Sequence, residues 1–188
     1  MKPIDRLRAK VFPRGTVVRS LQPLGERLVV LPADQPVPVM LAPGDVIAVR
    51  ITSKGFGPTG TGRRYTVSSS TAATFDIVAF RTETGPATPF LDSLTVGASL
   101  VVRGPEAPVP PPRATTGLLA VVGDESAIGT VRALASTTSA RVTAGLQMSC
   151  STIDPSTLFG SATCLVLADA DAMSAWIDSV ARRTNGSA

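Results

Sequence analysis

The chain has no histidine. That absence removes the commonest general base and every serine–histidine–aspartate reading of catalysis. It has two cysteines, Cys150 and Cys164, fourteen residues apart in apolar runs and without a Cys-x-x-Cys pair. No zinc or iron–sulfur site is predicted from them. They read as buried structural thiols, and a disulfide is open to them only in an oxidising compartment. Aromatic residues make up only 4% of the 188, with one Tyr and one Trp, so the cores must be built from Val, Leu, Ala and Ile. No apolar run nears the roughly 20 residues of a membrane span. The basic segment 1–14 lacks the apolar stretch of a secretory signal. These readings place the protein in the cytoplasm.

Lysine is scarce too, three against fifteen arginines, a bias of the kind a GC-rich genome produces. The charge is uneven: residues 1–113 carry a net +6 and residues 114–188 a net −2. A mildly basic first half suits an anionic small molecule. It lacks the Lys/Arg runs with interleaved aromatics that mark a nucleic-acid surface. The expected partner is therefore a small-molecule substrate, with neither nucleic acid nor membrane. Nothing in the chain specifies an oligomeric state.

Along the chain, residues 1–14 read as an N-terminal arm. From Gly15 to Pro105 the pattern is one of short β-type runs broken by Gly and Pro. Strands are predicted over Thr16–Leu21, Arg27–Leu31, Asp45–Thr52, Arg63–Ser69, Thr74–Arg81 and Ser99–Arg103. Six short strands without helical periods between them predict an antiparallel barrel, since closure removes sheet edges. One helix is expected in this half, Pro86 to Leu94, with Phe90, Leu91 and Leu94 on one face. Glu106 to Arg113, Glu-Ala-Pro-Val-Pro-Pro-Pro-Arg, reads as a stiff linker and the clearest domain boundary.

Beyond the linker the period changes. Leu118–Val122 is a fully apolar strand, and Glu125–Ala135 a helix with Ile128, Val131 and Leu134 inward. Arg141–Met148 and Ala162–Leu167 are two more strands. Asp171–Arg183 is an amphipathic helix with Met173, Ile177 and Val180 inward, an Asp at its start and arginines at its end. Residues 114–188 are thus expected to form a small parallel α/β layer.

The stretch Arg63-Arg64-Tyr65-Thr66-Val67-Ser68 carries the most chemistry. It follows a loop containing Gly55, Gly57, Gly60 and Gly62. On a strand, Arg63 and Tyr65 share one face and Arg64 and Thr66 the other. A cation beside an aromatic ring suits a ligand with an anionic tail and a flat ring. Taken alone, the stretch reads equally as a surface strand with a solvated arginine pair. Gly85-Pro86-Ala87-Thr88 opens the short helix, where backbone N–H groups and a hydroxyl can hold a phosphate, or simply cap a turn.

These two fragments are followed by Leu94 to Pro105 (Leu-Thr-Val-Gly-Ala-Ser-Leu-Val-Val-Arg-Gly-Pro) and by Leu118 to Gly129 (Leu-Leu-Ala-Val-Val-Gly-Asp-Glu-Ser-Ala-Ile-Gly). In this order and spacing, the four resemble the ferredoxin-reductase-like flavoproteins, closest to their siderophore-interacting branch. That branch carries an Arg-x-Tyr-Thr strand, a Gly-Pro-Ala-Ser helix start and a Gly-Asp-Glu-Thr-Ala strand-to-helix turn. The resemblance covers residues 15–135. It implies a six-stranded antiparallel FAD-binding barrel over 15–105, a linker over 106–113 and a shortened Rossmann-like domain over 114–188.

The resemblance also implies roles. Arg63 pairs with the flavin pyrophosphate, Tyr65 lies against the isoalloxazine ring, and Thr66 hydrogen-bonds near the reactive ring nitrogen. Tyr65 and Thr66 are then the catalytic candidates. Val67 and Ser68 continue the cofactor-binding stretch, and Gly85, Pro86, Ala87 and Thr88 cradle the phosphates. A flavin supplies redox chemistry without histidine or metal ligands. Gly123-Asp124-Glu125-Ser126 lacks the glycine-rich fingerprint of a dinucleotide fold, and its two carboxylates repel a phosphate. The residues therefore favour FAD over a bound nicotinamide.

Three functions follow as expectations. The first is a flavin oxidoreductase passing electrons from NAD(P)H through FAD to a small acceptor, a ferric chelate being one class. The second is a repurposed, reduced-size member acting as a non-redox cyclase or cycloaddition catalyst in secondary-metabolite (polyketide-type) biosynthesis. Such chemistry needs orientation and desolvation more than titratable groups. The third is a flavin-holding electron relay served by a partner protein.

Overall fold

The computed structural model describes residues 13–51, 62–108, 117–148 and 162–185. The N-terminal arm through residue 12, the Gly55, Gly57 and Gly60 loop, most of the linker and Cys150 lie outside the described residues.

Seven strands form one antiparallel sheet: β1 (Arg14–Val17), β2 (Gln22–Leu24), β3 (Leu28–Asp34), β4 (Asp45–Arg50), β5 (Gly62–Ser70), β6 (Thr74–Phe80) and β7 (Ser99–Pro108). Their order is β1-β7-β4-β5-β6-β3-β2. Just past β1, a bridge between Val18 and Ala33 joins its continuation to β3, and Arg19 N donates to Pro32 O at 2.8 Å. Six strands thereby close on themselves, and β2 lies outside as an edge paired only with β3. Strand β2 has no counterpart in the sequence reading because Pro23 sits in its middle. An edge strand tolerates proline, since its outward side needs no N–H.

Alternation along the strands fills the barrel. Leu31, Ile47, Val67, Phe75, Ile77 and Leu100 are buried in one cluster, each contributing about 1.5–3 kcal/mol by leaving water. Helix α1 (Ala87–Ser93) starts after Pro86 and adds Leu91, with Leu94 just beyond it and Phe90 beside them, to that cluster. Strand β7 does not stop at Pro105. It runs through Glu106 to Pro108, whose register partners are Asp45 for Pro108 and Val46 for Ala107. The first three residues read from sequence as linker are therefore strand. Their prolines flank a backbone still able to pair with β4 across a register shift between Val46 and Ala48.

The remaining described chain is a three-stranded parallel sheet of order β10-β9-β8, from β8 (Leu118–Asp124), β9 (Arg141–Gln147) and β10 (Thr163–Leu167). A 3₁₀ turn (Glu125–Ala127) leads into helix α2 (Ile128–Thr137), and helix α3 (Ala170–Asn185) closes the described chain. Ile128 and Val131 of α2 pack on Val142, Ala144 and Leu146 of β9, and Leu28 of the barrel is buried in the same cluster. The two lobes thus share a core.

Helix α3 corrects one detail. Ile177 is 44% exposed, and Trp176 and Val180 are the buried residues. The reason lies in β9: a Cβ on Gly145 would stand 2.7 Å from Trp176 Cε3 and 2.9 Å from Leu167 Cδ1. Glycine leaves a slot, the indole fills it, and the helix turns its stripe accordingly. No helix among the described residues is long and apolar enough to cross a membrane.

Candidate functional site

Where α2 meets β5, the two lobes enclose a cavity of about 300 Å³. That lies at the low end of the range for small-molecule sites. Arg63, Arg64, Tyr65 and Thr66 of β5 all line it. Its apolar walls are Val46 of β4 and Val78 and Phe80 of β6; Thr82 follows β6, Ala87 opens α1, and Ser126 and Gly129 come from the α/β lobe.

The two arginines have different fates. Arg64 Nε donates to Glu106 Oε2 at 2.8 Å, and Arg103 Nη2 donates to Glu106 Oε1 at 2.7 Å. Burial alone pushes the Glu106 carboxyl up, but hydrogen bonds and charge from Arg103 and Arg64 outweigh it and hold it below the usual range. Among the described residues Arg63 makes no hydrogen bond or ion pair, and its charge acts on Tyr65. Burial raises the Tyr65 phenol against that charge, so the residue is a neutral ring at any working pH. Tyr65 thus lines the cleft as an uncharged phenol.

Thr66 Oγ1 is 3.0 Å from Thr130 Oγ1 of α2. A Cβ on Gly129 would stand 3.1 Å from Thr66 O, so the missing side chain is what lets α2 come this close to β5. Asp124 accepts from Ser126 N at 2.8 Å and from Ser126 Oγ at 2.6 Å, and these bonds hold its carboxyl below the usual range.

The sequence-derived site residues divide. Arg63, Tyr65, Thr66 and Ala87 come together on the cleft. Gly85 and Pro86 stand at the start of α1 beside Ala87, with Gly85 at φ +120°. The Thr88 hydroxyl is turned to the preceding loop, donating to Thr82 O at 2.7 Å. Val67 and Ser68 are buried in the barrel wall and do not line the cleft. A register shift between Val67 and Ser69 explains Ser68: one residue of β5 is unmatched by β6, alternation breaks, and Ser68 Oγ donates to Asp76 O at 3.1 Å. Sequence reasoning missed Val46, Val78, Phe80, Glu106 and Thr130. Only the alternation of β4 and β6 hinted at the first three.

A closed antiparallel barrel joined to a parallel α/β layer is a fold this chain shares with solved siderophore-interacting proteins and ferredoxin reductases. The siderophore-interacting protein of Acinetobacter baumannii aligns over 89% of this chain and 73% of its own, at 16% identity and a TM-score of 0.70. The siderophore-interacting protein SipS of Aeromonas hydrophila aligns over the same shares at 19% identity and a TM-score of 0.65. The flavohemoglobin of Malassezia yamatoensis, solved with bound FAD and heme, aligns over 89% of this chain and 50% of its own, at 15% identity and a TM-score of 0.62. No protein-family model matches the sequence, and no curated protein matches it.

Proposed function

We propose that the cleft binds FAD and that the protein is an NAD(P)H-dependent flavin oxidoreductase acting on a small acceptor, with ferric chelates one class. The observation that carries this reading is the pairing of Arg63, a guanidinium with no partner among the described residues, with the neutral Tyr65 ring in a cleft walled by Val46, Val78 and Phe80. This fits a flat apolar ring system with a phosphate tail. Arg63 binds the pyrophosphate through its planar fork. Tyr65 supports the ring, and Thr66 offers its hydroxyl to the reactive ring nitrogen. Because the Thr88 hydroxyl is already donating, phosphate contacts at α1 fall to backbone N–H groups. FAD, when bound, supplies the electron transfer. The fold shared with a structure solved with FAD supports the assignment.

The test is spectroscopic. Purified protein, as isolated or after incubation with FAD, is expected to show flavin absorption; a protein that takes up none ends the proposal. Anaerobic mixing with NADH or NADPH is then expected to bleach the bound flavin.

One observation favours a second reading, a flavin relay reduced by a partner protein. Asp124 is held ionised at the turn after β8, next to Glu125, where a nicotinamide dinucleotide brings phosphates in this fold class. A flavin that loads yet is bleached by neither nicotinamide selects the relay.

A further inference from the structure

Thr66 and Thr130 set two hydroxyls 3.0 Å apart across the junction of the lobes, and either oxygen can be the donor. Both residues are half-buried, and neither hydroxyl has another hydrogen-bond partner among the described residues. A threonine hydroxyl carries one proton and two lone pairs. The pair therefore has two self-consistent arrangements with the same heavy-atom positions. In the first, Thr130 donates to Thr66, and the Thr66 proton is left for the cleft. In the second, Thr66 donates to Thr130 and shows the cleft only lone pairs. The Thr130 proton then turns to water at the half-buried surface of α2.

We propose that Thr130 is a positioning residue, and that the Thr66–Thr130 pair reverses its direction to match a cleft atom that is an acceptor in one state and a donor in the other. The class of atom is a ring nitrogen that gains a proton together with two electrons on reduction. The inference rests on the flavin reading above. Toward the oxidised ring, Thr66 donates to the bare nitrogen and accepts from Thr130. Toward the reduced ring, Thr66 accepts from the new N–H and passes its own proton to Thr130. Neither side chain has to change rotamer, so both redox states are served by one packed geometry. Gly129 is what permits it, because a side chain there would push α2 away from Thr66 O.

Removing the Thr130 hydroxyl affects the two states unequally. In the oxidised state Thr66 loses a donor to one lone pair. In the reduced state its own proton is left without an acceptor, and an orphaned donor is the rarer and costlier fault.

The test compares midpoint potentials of FAD bound to wild type, T130V, T130A, T130S, T66V and T66V/T130V, each equilibrated with a redox dye of known potential. T130V is expected to shift the reduced-to-oxidised ratio about tenfold against the reduced form, about 30 mV more negative for a two-electron couple. T130A, which keeps helix propensity, carries the same expectation should T130V fold poorly. T130S restores the wild-type value. In the T66V background, adding T130V is expected to change nothing, since Thr130 acts only through Thr66. If wild type loads FAD and T130V and T130A leave its potential unmoved, or if T130V acts equally in the T66V background, this inference is wrong while the flavin reading stands. If wild type takes up no FAD, both fall.

Discussion

Arg64 donates from Nε to Glu106 Oε2 at 2.8 Å, while its neighbour Arg63 has no partner of its own among the described residues. Two identical side chains, adjacent in sequence and both on the cleft, thus differ: one is tied to the barrel, and the other has no such tie among the described residues.

That division yields the first prediction. Arg63→Ala is expected to weaken FAD binding about ten- to a hundredfold, the worth of one charge-assisted hydrogen bond of about 1.5–3 kcal/mol. Arg64→Ala is expected to cost less than about threefold. Thermal stability of R63A should stay near wild type, because Arg63 is exposed. Fluorescence titration with FAD reads the affinities and a thermal melt the stability, and equal losses of affinity in the two variants would return Arg63 to the solvated surface.

Glu106 sets a pH dependence. Its folded-state carboxyl titrates below the ordinary 4.5 because Arg103 and Arg64 outweigh the effect of burial. A lowered folded value contributes stability that is fully present above the unfolded value and fades as pH falls through the folded one. Urea midpoints of wild type and Glu106→Gln should therefore differ most near pH 7 and converge as the pH falls below the ordinary 4.5. A gap that is constant with pH would mean that the carboxylate charge is not what matters.

Gly145 offers a packing test with a built-in reporter, since Trp176 is the sole tryptophan. Gly145→Ala brings a methyl within 2.7 Å of Trp176 Cε3 and 2.9 Å of Leu167 Cδ1. Overpacking of this kind is expected to destabilise the protein by about 1–3 kcal/mol and to shift the tryptophan emission to the red. An unchanged spectrum and melting temperature would show that α3 lies elsewhere on the sheet.

Burial pushes the Cys164 thiol up to about 11 from an ordinary 9.0. Thiolate is the reactive form, so at pH 8 native Cys164 should react with a disulfide reagent about a hundredfold more slowly than in denatured protein. A Cys150→Ser variant isolates the signal. Comparable rates in the two states would place Cys164 at the surface.

Much of this was legible locally. The strands of the barrel, the helix after Pro86 and the period change beyond residue 117 follow from turn residues and apolar spacing, which act over a few residues. So does the grouping of Arg63, Tyr65 and Thr66 on the cleft, because they follow one another on one strand. The bulge that buries Ser68 was not legible. An unmatched residue leaves no mark in a period-two pattern and exists only relative to Asp76 and Ile77 on the neighbouring strand. Glu106 read as linker because its prolines speak louder than its pairing.

By itself, then, the sequence determined the kinds of element and the run of residue types along β5, since both depend on side-chain chemistry and near-neighbour spacing. Tertiary structure decided which arginine is free, which threonine faces Thr66 and which helix stripe is buried. Those outcomes turn on contacts between positions 42 and 64 residues apart, Arg64 with Glu106 and Thr66 with Thr130. They also turn on two glycines whose missing side chains let α2 and Trp176 come close enough to matter.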